Sequence, residues 1–431
     1  MATEDDRYRT SSQFREWSFT PAQLADTRSK TNSLAKKAIS ERLSSTSSST
    51  SASANPSGAN TPIPVVSTAT APADVPNDLL STASASAGAA AAGAAAGAAP
   101  SSSLPEFLTP AEEEQLLRYY TVETLRAAEF CGLPTEIRAT AAIFLRRFYL
   151  THSVMTYPPT KMLKTCVFFG AKAENYYPRV KTIADKFPKT TGEEILAGEF
   201  LLCQGIRFAF DVRHPFRALE GAVMQLRSFG DLDETKIEKA HKRTRTILKF
   251  SPIVTDAYFH YTPSQIMLAA LSIADPDLAE RLIEATFSGL PPGASGPDAA
   301  NGKHTAQEME RIIGLHIKKK TVETVQACKD MLLQEPVERF EGFWTTPEAN
   351  NQFKPLTKKL RKCRDPDRFD LIALHKKRLE FREKEAGGAG GRAVADDDIF
   401  GGAGADQAKS NADREAKRRK VAAEDPFGPA L

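Results

Sequence analysis

Apolar residues recur with helical spacing through most of this chain, and alternating runs long enough for strands are missing. From Pro134 to Leu150, Ile137, Ala141, Phe144, Leu145 and Phe148 form one apolar stripe. From Lys161 to Ala173, Met162, Leu163, Cys166, Val167, Phe168, Phe169 and Gly170 leave almost no polar side, which predicts a central helix surrounded by others. Glu193 to Ile206 is amphipathic again through Ile195, Leu196, Phe200, Leu202, Cys203 and Ile206. Further helical stretches are predicted over 216–229, 234–259 and 263–274, then near 306–334 and 354–385. The fold class is all-α.

Three helix starts share one grammar: Thr20-Pro21-Ala22-Gln23, Thr109-Pro110-Ala111-Glu112 and Thr262-Pro263-Ser264-Gln265. Thr caps, Pro sits where a missing N–H does no harm, and Gln or Glu occupies the capping-box position. Tyr157-Pro158-Pro159-Thr160-Lys161-Met162-Leu163 and Tyr261-Thr262-Pro263-Ser264-Gln265-Ile266-Met267 fit one pattern a domain length apart, which suggests a duplicated helical domain.

Composition trims this picture. Between Ser44 and Ser103, 49 of 60 residues are Ser, Thr, Ala, Gly or Pro, and Asp74 and Asp78 are the only charges. Such a segment buries too little apolar surface to offset its ordering entropy. The expected organisation is a helical segment over 1–43, a disordered linker over 44–103, and helical domains over 104–211 and 212–335, the latter with a flexible loop at 288–304. C-terminal helices over 336–385 and a disordered tail over 386–431 follow.

With 57 Lys plus Arg against 54 Asp plus Glu, charge gives no general reason to expect nucleic acid or an anionic membrane as main partner. The acidic opening Met1-Ala2-Thr3-Glu4-Asp5-Asp6 does not read as a secretory signal, and the glycine-broken Ala run near 85–99 is too weakly apolar to span a bilayer. Five widely spaced cysteines fit reduced thiols, not a disulfide frame or zinc site. The expectation is a soluble, intracellular protein.

No nucleophile with its base, phosphate cradle or metal-ligand spacing stands out, so neither catalytic residues, cofactor nor metal is expected. Gly88, Gly93 and Gly97 belong to the Ala-rich linker, and Asp396-Asp397-Asp398 reads as a solvated acidic run. The basic run Lys236–Arg245 interleaves with Ile237, Ala240 and Ile247 and reads as a solvated helix face. Lys417-Arg418-Arg419-Lys420 in the tail reads as a nuclear-import signal, which places the protein in the nucleus.

Lys172 and Glu199 form the informative pair. Glu199 lies four residues after Ile195 and four before Cys203, on the apolar side of its helix, and Lys172 follows Phe168 and Phe169 at the end of the most apolar helix. Each charge is costly there unless paired, and each is the other's natural partner. The residues alone leave two readings open, an ion pair that only joins two helices and the rim of a protein interface.

The two helical domains, this pair and several strings resemble the cyclins. Thr255-Asp256-Ala257-Tyr258-Phe259-His260-Tyr261-Thr262-Pro263-Ser264-Gln265-Ile266 is the strongest string. Arg146-Arg147-Phe148-Tyr149-Leu150 with Ser153-Val154-Met155, and Ser11-Ser12-Gln13 with Trp17-Ser18-Phe19, agree with it. The likeness covers most of 11–43 and 105–385. Substrate-docking cyclins carry an MRAIL string in the first box helix, whereas this one reads Glu114-Gln115-Leu116-Leu117-Arg118-Tyr119-Tyr120, a departure that fits a transcription-type cyclin.

The resemblance implies two tandem five-helix cyclin boxes with flanking N- and C-terminal helices. It also implies a non-catalytic regulatory subunit that binds and activates a cyclin-dependent kinase of the kinase-activating kinase type. Lys172 and Glu199 correspond to the family's kinase-contacting pair, and Phe169 and Phe208 to apolar interface positions. A RING-finger assembly subunit and the core of TFIIH are the further partners implied, with no direct nucleic acid and no membrane. The substrates implied are kinase activation loops and the C-terminal domain of RNA polymerase II. The competing reading is a TFIIB-like protein with two cyclin folds on DNA, against which stand the absence of any CxxC and the near-zero net charge.

Overall fold

A computed structural model of the chain describes residues 8–51, 105–288 and 306–388. Among these there is no strand. The N-terminal segment gives α1 (Ser12–Trp17) and α2 (Pro21–Ser51). The first box comprises α3 (Pro110–Phe130), α4 (Thr135–Thr151), α5 (Pro159–Ala173), α6 (Val180–Ala184), α7 (Gly192–Ala197) and α8 (Glu199–Gly205). The second comprises α9 (Phe216–Ser228), α10 (Glu234–Leu248), α11 (Ser251–Val254), α12 (Ala257–His260), α13 (Pro263–Ala274), α14 (Pro276–Phe287) and α15 (Ala306–Leu332). A π-turn at Phe340–Trp344, then α16 (Pro347–Cys363) and α17 (Leu371–Gly388), follow. Residues from Lys376 onward belong to a separate unit.

The capping grammar is realised as read. Thr109 with Glu112 and Thr262 with Gln265 form reciprocal capping boxes, and Thr20 with Gln23 makes the same two bonds. The repeated strings open α5 and α13, which hold equivalent places. α5 packs against both α3 and α4, burying Met162, Leu163, Cys166, Val167 and Phe168, while α13 packs against α10, α14 and α15. Gly170 makes the α4–α5 approach close: a Cβ there would lie 3.1 Å from the backbone of Ala141.

Three expected helices are broken. The stretch 193–206 divides at Gly198 into α7 and α8, because a Cβ at 198 would meet Thr165 Oγ1 at 2.5 Å and Thr165 donates to the Ile195 carbonyl at 3.0 Å. The stretch 234–259 divides twice, at Phe250, where Pro252 follows without an N–H to donate, and at Thr255-Asp256. The stretch 354–385 begins earlier, at Pro347, and breaks after Cys363 around Pro366. A helix absent from the sequence reading, α14, starts where Asp275 caps Leu278 and Pro276 takes the first position. α2 runs to Ser51, past the boundary set at residue 43.

The flanking segments tie the boxes together. Gln13 accepts from the Arg213 N–H at 2.6 Å, fully buried Trp17 faces the Arg147 guanidinium at 5.4 Å, and the Phe19 N–H donates to the Phe259 carbonyl at 2.8 Å. Thr31 donates to the Leu150 carbonyl and Asn32 to the Leu108 carbonyl. On the C-terminal side, buried Glu335 accepts from the Trp344 indole at 3.2 Å and pairs with Arg118 of α3 at 3.3 Å. Buried Asp365 pairs with Arg42 of α2, and its N–H donates to the Met155 carbonyl at 2.8 Å.

Candidate protein-docking site

The Lys172 ammonium donates to Glu199 Oε1 at 2.9 Å, joining the end of α5 to the start of α8. Each charge stands at the helix end whose dipole favours it, the cation at a C-terminus and the carboxylate at an N-terminus. The ammonium also lies over Phe168 and Phe169, at 5.3 and 5.8 Å from the ring centres. Burial raises the Glu199 pKa and outweighs the lowering by Lys172. Both side chains remain about one-fifth exposed, and Glu199 Oε2 meets no donor among the described residues.

Phe169 begins a ladder of rings leading outward. It packs on buried Phe144 at 5.9 Å and on Phe210 at 5.3 Å; Phe210 meets Phe208 at 6.2 Å, and Phe208 meets Phe200 at 6.5 Å. Phe208 is 57% exposed, Phe200 44% and Phe210 38%. Three large apolar rings exposed together beside a charged pair form the kind of patch that marks a protein interface.

Local backbone produces this display. After α8 the Phe208 N–H bonds back to the Cys203 carbonyl at 2.8 Å, and Arg207 and Phe208 both adopt left-handed conformations, with φ of 56° and 55°. Two consecutive non-glycine residues in that region are strained, and here they turn Phe208 outward. Gly205 has no alternative, since a Cβ would lie 2.4 Å from the Phe148 ring. Arg207 is held over Trp17 at 5.4 Å and pairs with Glu16 at 3.1 Å, so α1 braces the turn.

All four residues expected at the interface, Lys172, Glu199, Phe169 and Phe208, therefore share one region of the first box. Phe200 and Phe210 were missed. Their signal was present: Phe200 follows Glu199 directly, and Phe210 lies two residues beyond Phe208. Among the described residues no group of His, Cys, Asp and Glu could hold a metal, and no helix is long and apolar enough to cross a membrane. All five cysteines are free. The cations of the 236–245 run are largely occupied: Lys236 pairs with Asp277 at 2.9 Å, Arg245 with Glu220 at 2.8 Å, and Arg243 with Glu338.

Residues 214–333 match the family model of the cyclin C-terminal domain. A chain in the structure of the CAK complex of Chaetomium thermophilum, solved bound to ATP-gamma-S, is 42% identical, with a TM-score of 0.68 over 92% of this chain and 99% of that one. The chain belongs to the cyclin family. Cyclin CCL1 of Saccharomyces cerevisiae is 30% identical over 287 residues, 66% of this cyclin and 62% of the yeast protein. Cyclin mcs2 of Schizosaccharomyces pombe is 28% identical over 282 residues, 65% and 73% of the two chains. The match thus spans a little under two-thirds of the budding-yeast cyclin's length. Further relatives carry the name cyclin-H, and within the family this chain is a cyclin of the H type.

Proposed function

We propose that this cyclin is the non-catalytic regulatory subunit of a cyclin-dependent kinase, in a kinase-activating kinase module. The observation that carries this is the combination of Lys172, Glu199 and the exposed ladder Phe169, Phe210, Phe208 and Phe200 on one face of the first box. The 42% identity with a chain of a CAK complex supports it.

The mechanism is conformational. A protein kinase stabilises phosphoryl transfer only when the lysine of its third strand pairs with the glutamate of its αC helix. A rigid surface that binds the αC-in state shifts the population by its differential affinity for that state. The phenylalanines supply apolar burial. Lys172 and Glu199, with Glu199 Oε2 meeting no donor among the described residues, fix orientation through directed bonds.

A RING-finger assembly subunit completes the module, which acts on kinase activation loops and, joined to the TFIIH core, on the C-terminal domain of RNA polymerase II. The protein works in the nucleus, does not contact nucleic acid directly and needs no cofactor of its own. The basic cluster Lys417–Lys420, read as the import signal, lies outside the described residues. The test is reconstitution with the kinase and measurement of kinase activity on a polymerase C-terminal repeat peptide. Activation by the full chain, reduced by Lys172→Ala with Glu199→Ala, is expected; a kinase equally active with and without the chain overturns the proposal.

A further inference from the structure

α16 carries a row of cations that the function above does not use. Its buried side, through Ala349, Phe353, Leu360 and Cys363, packs on α3 and the π-turn, with Phe353 stacked on Trp344 at 5.5 Å. The opposite side presents Lys354, Lys358, Arg361 and Lys362, all exposed. At 100° per residue these four fall within a sector of roughly 100° and span ~12 Å along the axis.

None of the four has a carboxylate within ion-pair distance among the described residues, nor any hydrogen bond. Their neighbour Lys359, just outside the sector, is engaged by both Glu106 and Glu112, at 2.6 and 2.9 Å. The cations of α10 are mostly paired as well. Four like charges at i, i+4, i+7 and i+8 repel one another, and among the described residues no ion pair offsets that repulsion.

We propose that this face of α16 is a docking surface for a short acidic segment of a partner protein. Carboxylates on one side of an extended segment recur every two residues, ~6.6 Å apart, close to the ~6 Å rise between helical positions i and i+4. The charge pattern around the row favours a short peptide over nucleic acid. Glu348 opens the helix, Asp367 and Asp370 lie in the turn beyond it, and Glu106 and Glu112 flank it at Lys359. A polyphosphate strand that continues in both directions would run into these carboxylates, whereas a segment of a few acidic residues fits between them.

The test uses the full chain and three labelled probes: an extended peptide of alternating glutamates, the same peptide with glutamines, and a short DNA duplex. The glutamate peptide is expected to bind, roughly tenfold more weakly when the Debye length shrinks from ~30 to ~8 Å, and the glutamine peptide not to bind. Binding is expected to be lost in a chain carrying Lys354→Gln, Lys358→Gln, Arg361→Gln and Lys362→Gln, whose circular dichroism and melting match the parent. If that variant melts differently, Lys358→Glu with Lys362→Glu serves as the second reading. No binding of the glutamate peptide, binding unchanged in the variants, or tighter binding of the duplex each overturns the proposal. Kinase activation is measured in parallel, and its persistence in the variants separates this surface from the one on the first box.

Discussion

Arg146, buried in the first box, donates to Asp256 in the second. Its guanidinium also takes the Ile253 carbonyl at 3.0 Å and the Val254 carbonyl, both released by the break between α11 and α12. Arg28 of α2 binds the same carboxylate with two bonds, at 2.9 and 2.6 Å, so one aspartate gathers three segments of the chain. Burial alone would raise the Asp256 pKa, but Arg146 and Arg28 outweigh it and lower it to about 2.

Two substitutions at this junction are expected to differ in severity. Asp256→Asn leaves the buried Arg146 guanidinium facing Arg28 with only Glu114, 3.4 Å from Arg28, as counter-charge, and should destabilise by about 3–5 kcal/mol. Arg146→Met should cost less, because Arg28 still neutralises Asp256 and methionine fills the apolar volume. Urea denaturation of the full chain checks the order; a milder Asp256→Asn would show that the carboxylate is not the element that holds the boxes together. Because the folded carboxyl titrates below its ordinary value, its contribution is fully present above pH ~4 and is lost as pH falls through about 2.

Two buried histidines set a different pH dependence. Burial, reinforced by Arg147, lowers His214 to about 3, and its ring bridges Thr140 and Tyr258 at 2.8 Å on each side. Burial lowers His152 to about 4, where it stacks on Phe148 at 4.5 Å. Between pH ~6.5 and ~4 the unfolded chain protonates both rings and the folded chain neither, so stability falls as pH falls. The slope expected is about 2.7 kcal/mol per pH unit, roughly 1.36 from each ring. Urea midpoints at pH 7, 6 and 5 measure it, and His152→Gln should remove about half. Burial raises the Glu113 and Glu199 carboxyls, which act with the opposite sign, so the check is the difference between parent and His152→Gln: equal slopes would mean that this ring titrates normally.

Helix starts and the two central helices were legible in sequence because their determinants are local: a capping threonine with its Gln or Glu, and an unbroken apolar run. The Lys172–Glu199 pair was legible because two misplaced charges on apolar faces demand each other. What escaped depends on contacts distant in sequence. Glu193 to Ile206 reads as one helix until Thr165 is seen to exclude a Cβ at Gly198. Arg146 and Arg147 sit at apolar positions, and the sequence gives no hint that carbonyls about 107 and 62 residues away accept from them. Phe200 escaped for another reason, since it reads as part of the apolar stripe of its helix, although it and Phe210 lie beside Glu199 and Phe208 in sequence.

Glu199→Ala separates docking from stability. A pair with both partners about one-fifth exposed contributes roughly 1 kcal/mol or less to folding. At the centre of a kinase interface the same carboxylate is worth ~2 kcal/mol or more, a loss of about thirtyfold in affinity. Melting within a few degrees of the parent, with kinase binding sharply reduced in calorimetry, is the expected outcome. A steep fall in melting with unchanged activation per folded molecule would make the pair a strut between α5 and α8 and nothing more.

Phe208→Gly should move stability and docking in opposite directions. The native φ of 55° suits glycine, and relieving it returns ~1 kcal/mol, while a ring that is 57% exposed contributes little to the core. The substitution should leave the chain as stable as the parent or slightly more so. With the ring covered by the kinase as proposed above, it would remove an apolar contact of about 2 kcal/mol. Denaturation of the free chain and titration with the kinase give the two readings. A destabilised free chain would place the ring in the fold's own packing, whereas unaltered affinity would remove Phe208 from the interface and leave its strained turn without a function.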